Sequence, residues 1–105
     1  MKNWRRYEIL LPLRFNTGKA VSKTLLAQTL QELESRFGAV SCETQVIQGR
    51  WRSGPRSFRD DLIRVYVDAR PDAEVQAFFA EFKERLKARF QQLDIWLTSH
   101  EIDVL

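Results

Sequence analysis

The chain of 105 residues contains one cysteine, one histidine, four glycines and three prolines. The lone Cys42 excludes an internal disulfide and any zinc site built mainly from thiolates. The lone His100 excludes a multi-histidine metal cluster, so no metal and no cofactor is expected. Long apolar runs are also missing. The first one, Ile9 to Leu13, is broken by Pro12 and falls far short of the ~20 residues a spanning helix needs. The start, Met1-Lys2-Asn3-Trp4-Arg5-Arg6, is basic but has no apolar segment or small-residue cleavage site behind it. No secretory signal is therefore expected, no membrane partner either, and a cytoplasmic location is the default expectation.

What is present fits one folded unit. Apolar residues make up 44% and charged residues 30%, which argues against disorder. The length matches a single domain over residues 1–105, with 1–6 expected as a tail. The net charge is +3, a small excess of seventeen basic over fourteen acidic side chains. Distribution is more informative. Arg50, Arg52, Arg56 and Arg59 fall in one stretch without an acid, followed at once by Asp60 and Asp61. Arginine suits bidentate contacts to carboxylate or phosphate, although a solvated hairpin also explains the pattern.

Residues 7–15 predict a strand: Tyr7, Ile9, Leu11, Leu13 and Phe15 share one face at period two. Pro12 cannot donate to a ladder, so a break or bulge is expected near it. Residues 22–37 predict a helix with a stripe of Leu26, Leu30, Leu33 and Phe37, Ser22 as N-cap and Gly38 at the end. Glu32 and Arg36 are spaced for a pair on its exposed side. Residues 39–52 and 58–68 predict a hairpin around Ser53-Gly54-Pro55. A second helix follows from Pro71-Asp72 to about Gln91, striped by Val75, Phe78, Phe79, Phe82, Leu86 and Phe90, and residues 94–104 predict a last strand.

The order is β-α-β-β-α-β. Two helices with one apolar stripe each need a common surface, and a four-stranded antiparallel sheet supplies it. Right-handed crossovers then give an α+β, ferredoxin-like two-layer sandwich with both helices on one face. The other sheet face is left uncovered. It is expected to carry Leu10 and Arg14, then Glu43, Gln45 and Ile47, then Arg64 and Tyr66, then Trp96, Thr98, His100 and Ile102. The register of the second strand stays open, because Val40, Cys42, Thr44 and Val46 compete with Ile47 for burial. An apolar patch built from Leu10, Tyr66, Trp96 and Ile102 calls for a partner or ligand, unless the tail with Trp4 folds over it.

No catalytic motif stands out. His100 is the one candidate catalytic residue, a general base with Glu101 or Glu8 to orient it; Glu101 should point to the opposite face. Cys42 reads as a small buried hydrophobe. An RNA-recognition surface is poorly matched, since the third strand shows a single outward aromatic, Tyr66, and Leu10 stands where another would be needed. If nucleic acid is a partner at all, Trp51 between Arg50 and Arg52 is the better site.

At Arg36-Phe37-Gly38, Gly49-Arg50-Trp51 and Lys87-Ala88-Arg89-Phe90-Gln91-Gln92 the chain resembles a group of small bacterial proteins known only as a domain of unknown function. The resemblance spans about residues 15–99 and implies a ferredoxin-like fold with no known activity. Phe37 and Phe90 lie on the helix stripes, where packing accounts for them; Trp51 and Arg89 are not explained that way.

Three functions remain. The leading expectation is a non-catalytic interaction or ligand-binding module that forms a homodimer through the open sheet, using Leu10, Arg64, Tyr66, Trp96, Thr98 and His100. The second is a small enzyme or anion-binding protein with a cleft near His100, Arg64 and Tyr66 that takes a small anionic ligand. The third is a weak nucleic-acid binder along Arg50, Trp51, Arg52, Arg56 and Arg59, although nucleic acid is not the expected partner.

Overall fold

The computed structural model describes residues 3–105. It contains β1 (Trp4–Pro12), α1 (Lys23–Phe37), β2 (Ser41–Ser53), β3 (Arg56–Ala69), α2 (Ala73–Arg89) and β4 (Leu97–Ile102), in that order. The four strands form one sheet in the order β2-β3-β1-β4, every pairing antiparallel. The protein is a ferredoxin-like α+β sandwich.

Alternation in β1 sets the two faces. Tyr7, Ile9 and Leu11 are buried beneath the helices with Ile63, Val65 and Val67 of β3, and with Phe79, Phe82 and Leu86 of α2. Tyr7 stacks on Phe79 at 4.1 Å between ring centroids, and Phe37 stacks on the same ring at 5.3 Å. This aromatic stack fastens both helices to the central strand. Gln76 donates to the Tyr7 hydroxyl at 3.2 Å, which satisfies its polar end.

The helix ends follow their sequence signals. Ser22 Oγ accepts from the Leu25 amide and Gly38, at φ 83°, closes α1 in the left-handed region that favours glycine. Asp72 caps α2 by accepting from the Val75 amide at 2.8 Å. α2 ends at Arg89 rather than near Gln91, because Gln91 adopts φ 54° and turns the chain toward β4.

Three further expectations need correction, and the register left open in the second strand is resolved. β1 begins at Trp4, so Trp4, Arg5 and Arg6 of the expected tail are sheet; residues 1–2 lie outside the described part. β1 also ends at Pro12 instead of Phe15. The Leu10 amide donates to Trp96 O at 3.0 Å on the β4 side, and residue 12 would point the same way, where no strand remains. The proline's missing donor therefore costs no ladder bond. In β2 the register shifts between Glu43 and Ile47. Four positions on β2 span two on β3, so Cys42 lies with the core residues opposite Val65 while Ile47, opposite Leu62, keeps the open face. Finally, no Glu32–Arg36 pair forms. Glu32 instead receives Arg89 Nη1 at 2.7 Å and Nη2 at 3.1 Å, with Arg85 at 3.5 Å. Arg89 Nη1 also donates to the buried Thr29 hydroxyl at 3.0 Å, so this fork ties α1 to α2.

The hydrogen bonds from Arg89 hold the Glu32 carboxyl below its ordinary value of 4.5. A carboxyl depressed by folding stabilises the native state above its unfolded pKa and loses that contribution as pH falls through its folded value. Glu32→Gln should therefore cost about 1 kcal/mol at neutral pH. Urea denaturation should show this difference shrinking below pH 4.5.

Candidate functional site

The uncovered face is built from the even-numbered residues of β1 and the residues directly opposite them. Arg6 faces Asp68 on one side and His100 on the other; Glu8 faces Tyr66 and Thr98; Leu10 faces Arg64; Pro12 faces Leu62. Three regions follow. At one end Trp4 faces Ile102, and the Arg70 guanidinium lies 5.2 Å from the Trp4 ring centre. Trp4 is thus part of the sheet and does not fold over the face. In the middle, Arg6 forms a fork with Asp68 at 2.8 and 3.0 Å and covers the Tyr66 ring at 4.4 Å. Arg64 approaches Glu43 at 3.6 Å. Ion pairs tile this middle region, where the sequence suggested an apolar patch.

At the far end the face becomes apolar and concave. A cleft of about 240 Å³ has Leu10, Pro12 and Leu62 as its floor. One wall is the β2–β3 hairpin, with Gly49, Trp51 and Asp60. The other is the segment between α2 and β4, with Gln92, Asp94, Ile95 and Trp96. The hairpin wall is braced: Trp51 stacks on Phe58 at 4.4 Å and donates its indole N–H to Asp60 Oδ2 at 2.6 Å. The other wall is anchored by buried Ile95 and by the Leu10–Trp96 backbone bond. Trp96 remains 65% exposed at the mouth.

Burial pushes the Asp94 carboxyl up, but hydrogen bonds from Lys83 and from the Ile95 amide outweigh that and hold it below the usual carboxylate range. Lys83 Nζ lies 3.2 Å from Asp94 Oδ1. Asp60 has no ion-pair partner among the described residues, and its hydrogen bond to the indole engages one of its two oxygens.

The structure separates several residues that the sequence grouped. His100 sits on the edge strand opposite Arg6, whereas Arg64 lies opposite Leu10. The two are therefore about 13 Å apart along the strands and about 10 Å across them, and no common cleft joins them. Tyr66 and Arg64 are near neighbours on β3, but the Tyr66 ring lies under Arg6. Glu101 points to the helix side, where it approaches Arg5 at 3.9 Å. Arg14 has left the sheet; it bridges to Ala20 and donates to Gly18 O at 3.0 Å.

In the hairpin, Arg50 faces Arg59, while Trp51 faces Phe58 on the other side. Arg50, Arg52 and Arg59 therefore do not share a contact surface with the indole. Arg56 joins Trp51's side, 5.5 Å from the Phe58 ring centre. Sequence reasoning placed Leu10 and Trp96 on this face, but missed the cleft made with Gly49, Trp51, Asp60 and Leu62. The available signal was the parity of Gly49, Trp51 and Ile47 along one strand. Among the described residues no group of three His, Cys, Asp or Glu side chains is placed to hold a metal ion, and no helix is long and apolar enough to cross a membrane.

No protein-family model matches the chain, and no curated protein matches it. Solved structures do resemble it. A phage SAM lyase in complex with S-methyl-5'-thioadenosine superposes with a TM-score of 0.72 at 10% identity, covering 96% of this chain and 83% of that one. The apo state of a phage SAM lyase gives 0.70 at 10% identity, covering 95% and 81%. The divalent cation tolerance protein CutA1 of Thermus thermophilus gives 0.62 at 15% identity, covering 94% and 84%. At these identities the likeness establishes the fold alone.

Gly49 lets β2 lie close over the cleft floor: a Cβ there would meet Leu62 Cδ1 at 3.0 Å. Because that atom is the end of a flexible side chain, Gly49→Ala should cost only about 1 kcal/mol in a urea unfolding curve. The displaced leucine should appear as a shifted Leu62 methyl signal in an NMR spectrum.

Proposed function

We propose that the protein is a non-catalytic binding module that takes a planar aromatic small molecule in the cleft between Trp51 and Trp96. The observation that carries this reading is the cleft itself, an apolar floor between two braced walls, each presenting an indole and a carboxylate. Pockets for small ligands are concave, mostly apolar and furnished with a few fixed polar groups. Binding rather than turnover is favoured because both carboxylates already serve neighbours, Asp60 the Trp51 indole and Asp94 the Lys83 ammonium. A similar fold that holds S-methyl-5'-thioadenosine supplies a suitable first probe, a thioether nucleoside with a flat heteroaromatic ring.

Titration of the ¹⁵N-labelled protein with S-methyl-5'-thioadenosine should move the indole N–H signals of Trp51 and Trp96 and leave that of Trp4 in place. Trp96→Ala should weaken binding about tenfold, the scale of one lost ring-stacking contact. An unchanged spectrum at millimolar probe argues against the assignment.

A second reading concerns assembly. The exposed Trp96 and the alternation of Arg6 with Asp68 and of Arg64 with Glu43 favour a second copy of the chain on the same face. A two-fold axis would set each charge against its opposite. Sedimentation velocity at micromolar concentration should then show a concentration-dependent dimer that Trp96→Glu dissociates; a monomer throughout removes this reading.

A further inference from the structure

The charge balance of the cleft narrows its ligand class. Two carboxylates line it, and they are not equivalent. Asp94 Oδ1 is held at 2.9 Å by the Ile95 amide and at 3.2 Å by the Lys83 ammonium, so a cation already offsets its charge. Among the described residues Asp60 has only the neutral Trp51 indole N–H as a partner, at 2.6 Å. A carboxylate offers about four acceptor positions on its two oxygens, so Asp60 retains acceptor capacity and an uncompensated negative charge.

Among the described residues no cation forms an ion pair with Asp60, although Arg14 and Arg59 line a separate hollow beside it. Arg50 contributes to the cleft rim, but it faces Arg59 across the hairpin on the opposite side of the sheet. Arg56 shares the Trp51 side, but its guanidinium lies over the Phe58 ring at the hairpin end. The protein thus carries a net charge of +3 and yet presents an aromatic-walled cleft in which the Asp60 carboxylate has no ion-pair partner among the described residues.

We infer that the cleft selects planar aromatic ligands carrying a positive charge over neutral or anionic ones, and that Asp60 sets this preference. The assignment rests on the cleft being the ligand site. A ring between the cleft walls brings its charged substituent toward Asp60, where the low-dielectric floor of Leu10, Pro12 and Leu62 strengthens the attraction. Exposed indole faces attract cations as well, which acts in the same direction. A phosphate or carboxylate on the same ring meets repulsion from Asp60. Of the arginines that suggested an anionic ligand from the sequence, Arg50, Arg52 and Arg59 belong to the other side of the hairpin, and Arg56 is engaged on the Phe58 ring.

Three probes that share one ring isolate the charge: tryptamine is cationic, indole neutral and indole-3-propionate anionic. Each is titrated into the ¹⁵N-labelled full chain, with the Trp51 and Trp96 indole N–H signals as the readout. Tryptamine should bind about tenfold more tightly than indole-3-propionate, with indole between them. Asp60→Asn retains an oxygen to accept from Trp51 while removing the charge. It should reduce the preference to within about twofold. Asp94→Asn should change the preference less, because Lys83 already offsets that carboxylate. Should Asp60→Asn fail to fold, added salt provides the same comparison in the unaltered chain, since screening should narrow the gap between cation and anion. Equal binding of the three probes, a preference that survives Asp60→Asn in a folded protein, or a gap that salt leaves unchanged overturns the charge selection while sparing the cleft. If none of the probes moves either indole signal, the cleft reading falls too.

Discussion

Burial of one side of β1 beneath two helices is the constraint that organises this protein. Tyr7, Ile9 and Leu11 point into the aromatic core, and Phe79 stacks on Tyr7 while Phe37 stacks on Phe79. A strand offers only two faces at period two, so this commitment also fixes the even-numbered residues on the opposite side. Because β1 is central, paired to both β3 and β4, the same choice propagates across the whole sheet. A one-residue slip would carry Arg6, Glu8 and Leu10 into the core, a state with buried unpaired charge.

The uncovered face meets water in two different ways. Its middle is paired internally by the Arg6–Asp68 fork over Tyr66 and by the looser Arg64–Glu43 ion pair, which leaves the buried Arg64 Nε without a hydrogen-bond partner among the described residues. Its end beyond Leu10 cannot be satisfied so, because Leu10, Pro12 and Leu62 carry no polar groups on their side chains. There the hairpin and the chain leaving α2 rise on either side and make a concavity instead of a flat patch. Pro12 belongs to this design, since it ends β1 where the β4 side has no acceptor to offer it.

Arginine does structural work in this chain that composition alone would assign to ligands. Arg89 joins the two helices through Glu32 and Thr29, and Arg6 closes over Tyr66. The guanidinium is planar and offers several fixed donors, so it serves a carboxylate pair and an aromatic face equally well. A basic excess in the sequence is therefore weak evidence of an anionic partner once these internal pairs are known.

Element order, helix caps and the inward sets of β1, β3 and β4 were legible in the sequence, because each depends on spacing within a few residues: Ser22 and Gly38 around α1, Asp72 before α2, and Ile63, Val65 and Val67 along β3. The open face was legible in part, with Leu10, Arg64, Tyr66, Trp96 and His100 assigned to the correct side. What escaped the sequence depends on contacts between distant segments. The entry of Trp4 and Arg6 into β1 depends on finding Ile102, His100 and Asp68 as partners. The irregularity between Glu43 and Ile47 depends on how β2 must accommodate β3. The cleft requires Trp51, Asp60 and Trp96 to meet across the end of β1. Local periodicity thus determined which side of each element is apolar, whereas strand register and the paths of the hairpin and the α2–β4 connection decided which polar groups stand together, since only folding brings those segments into one field.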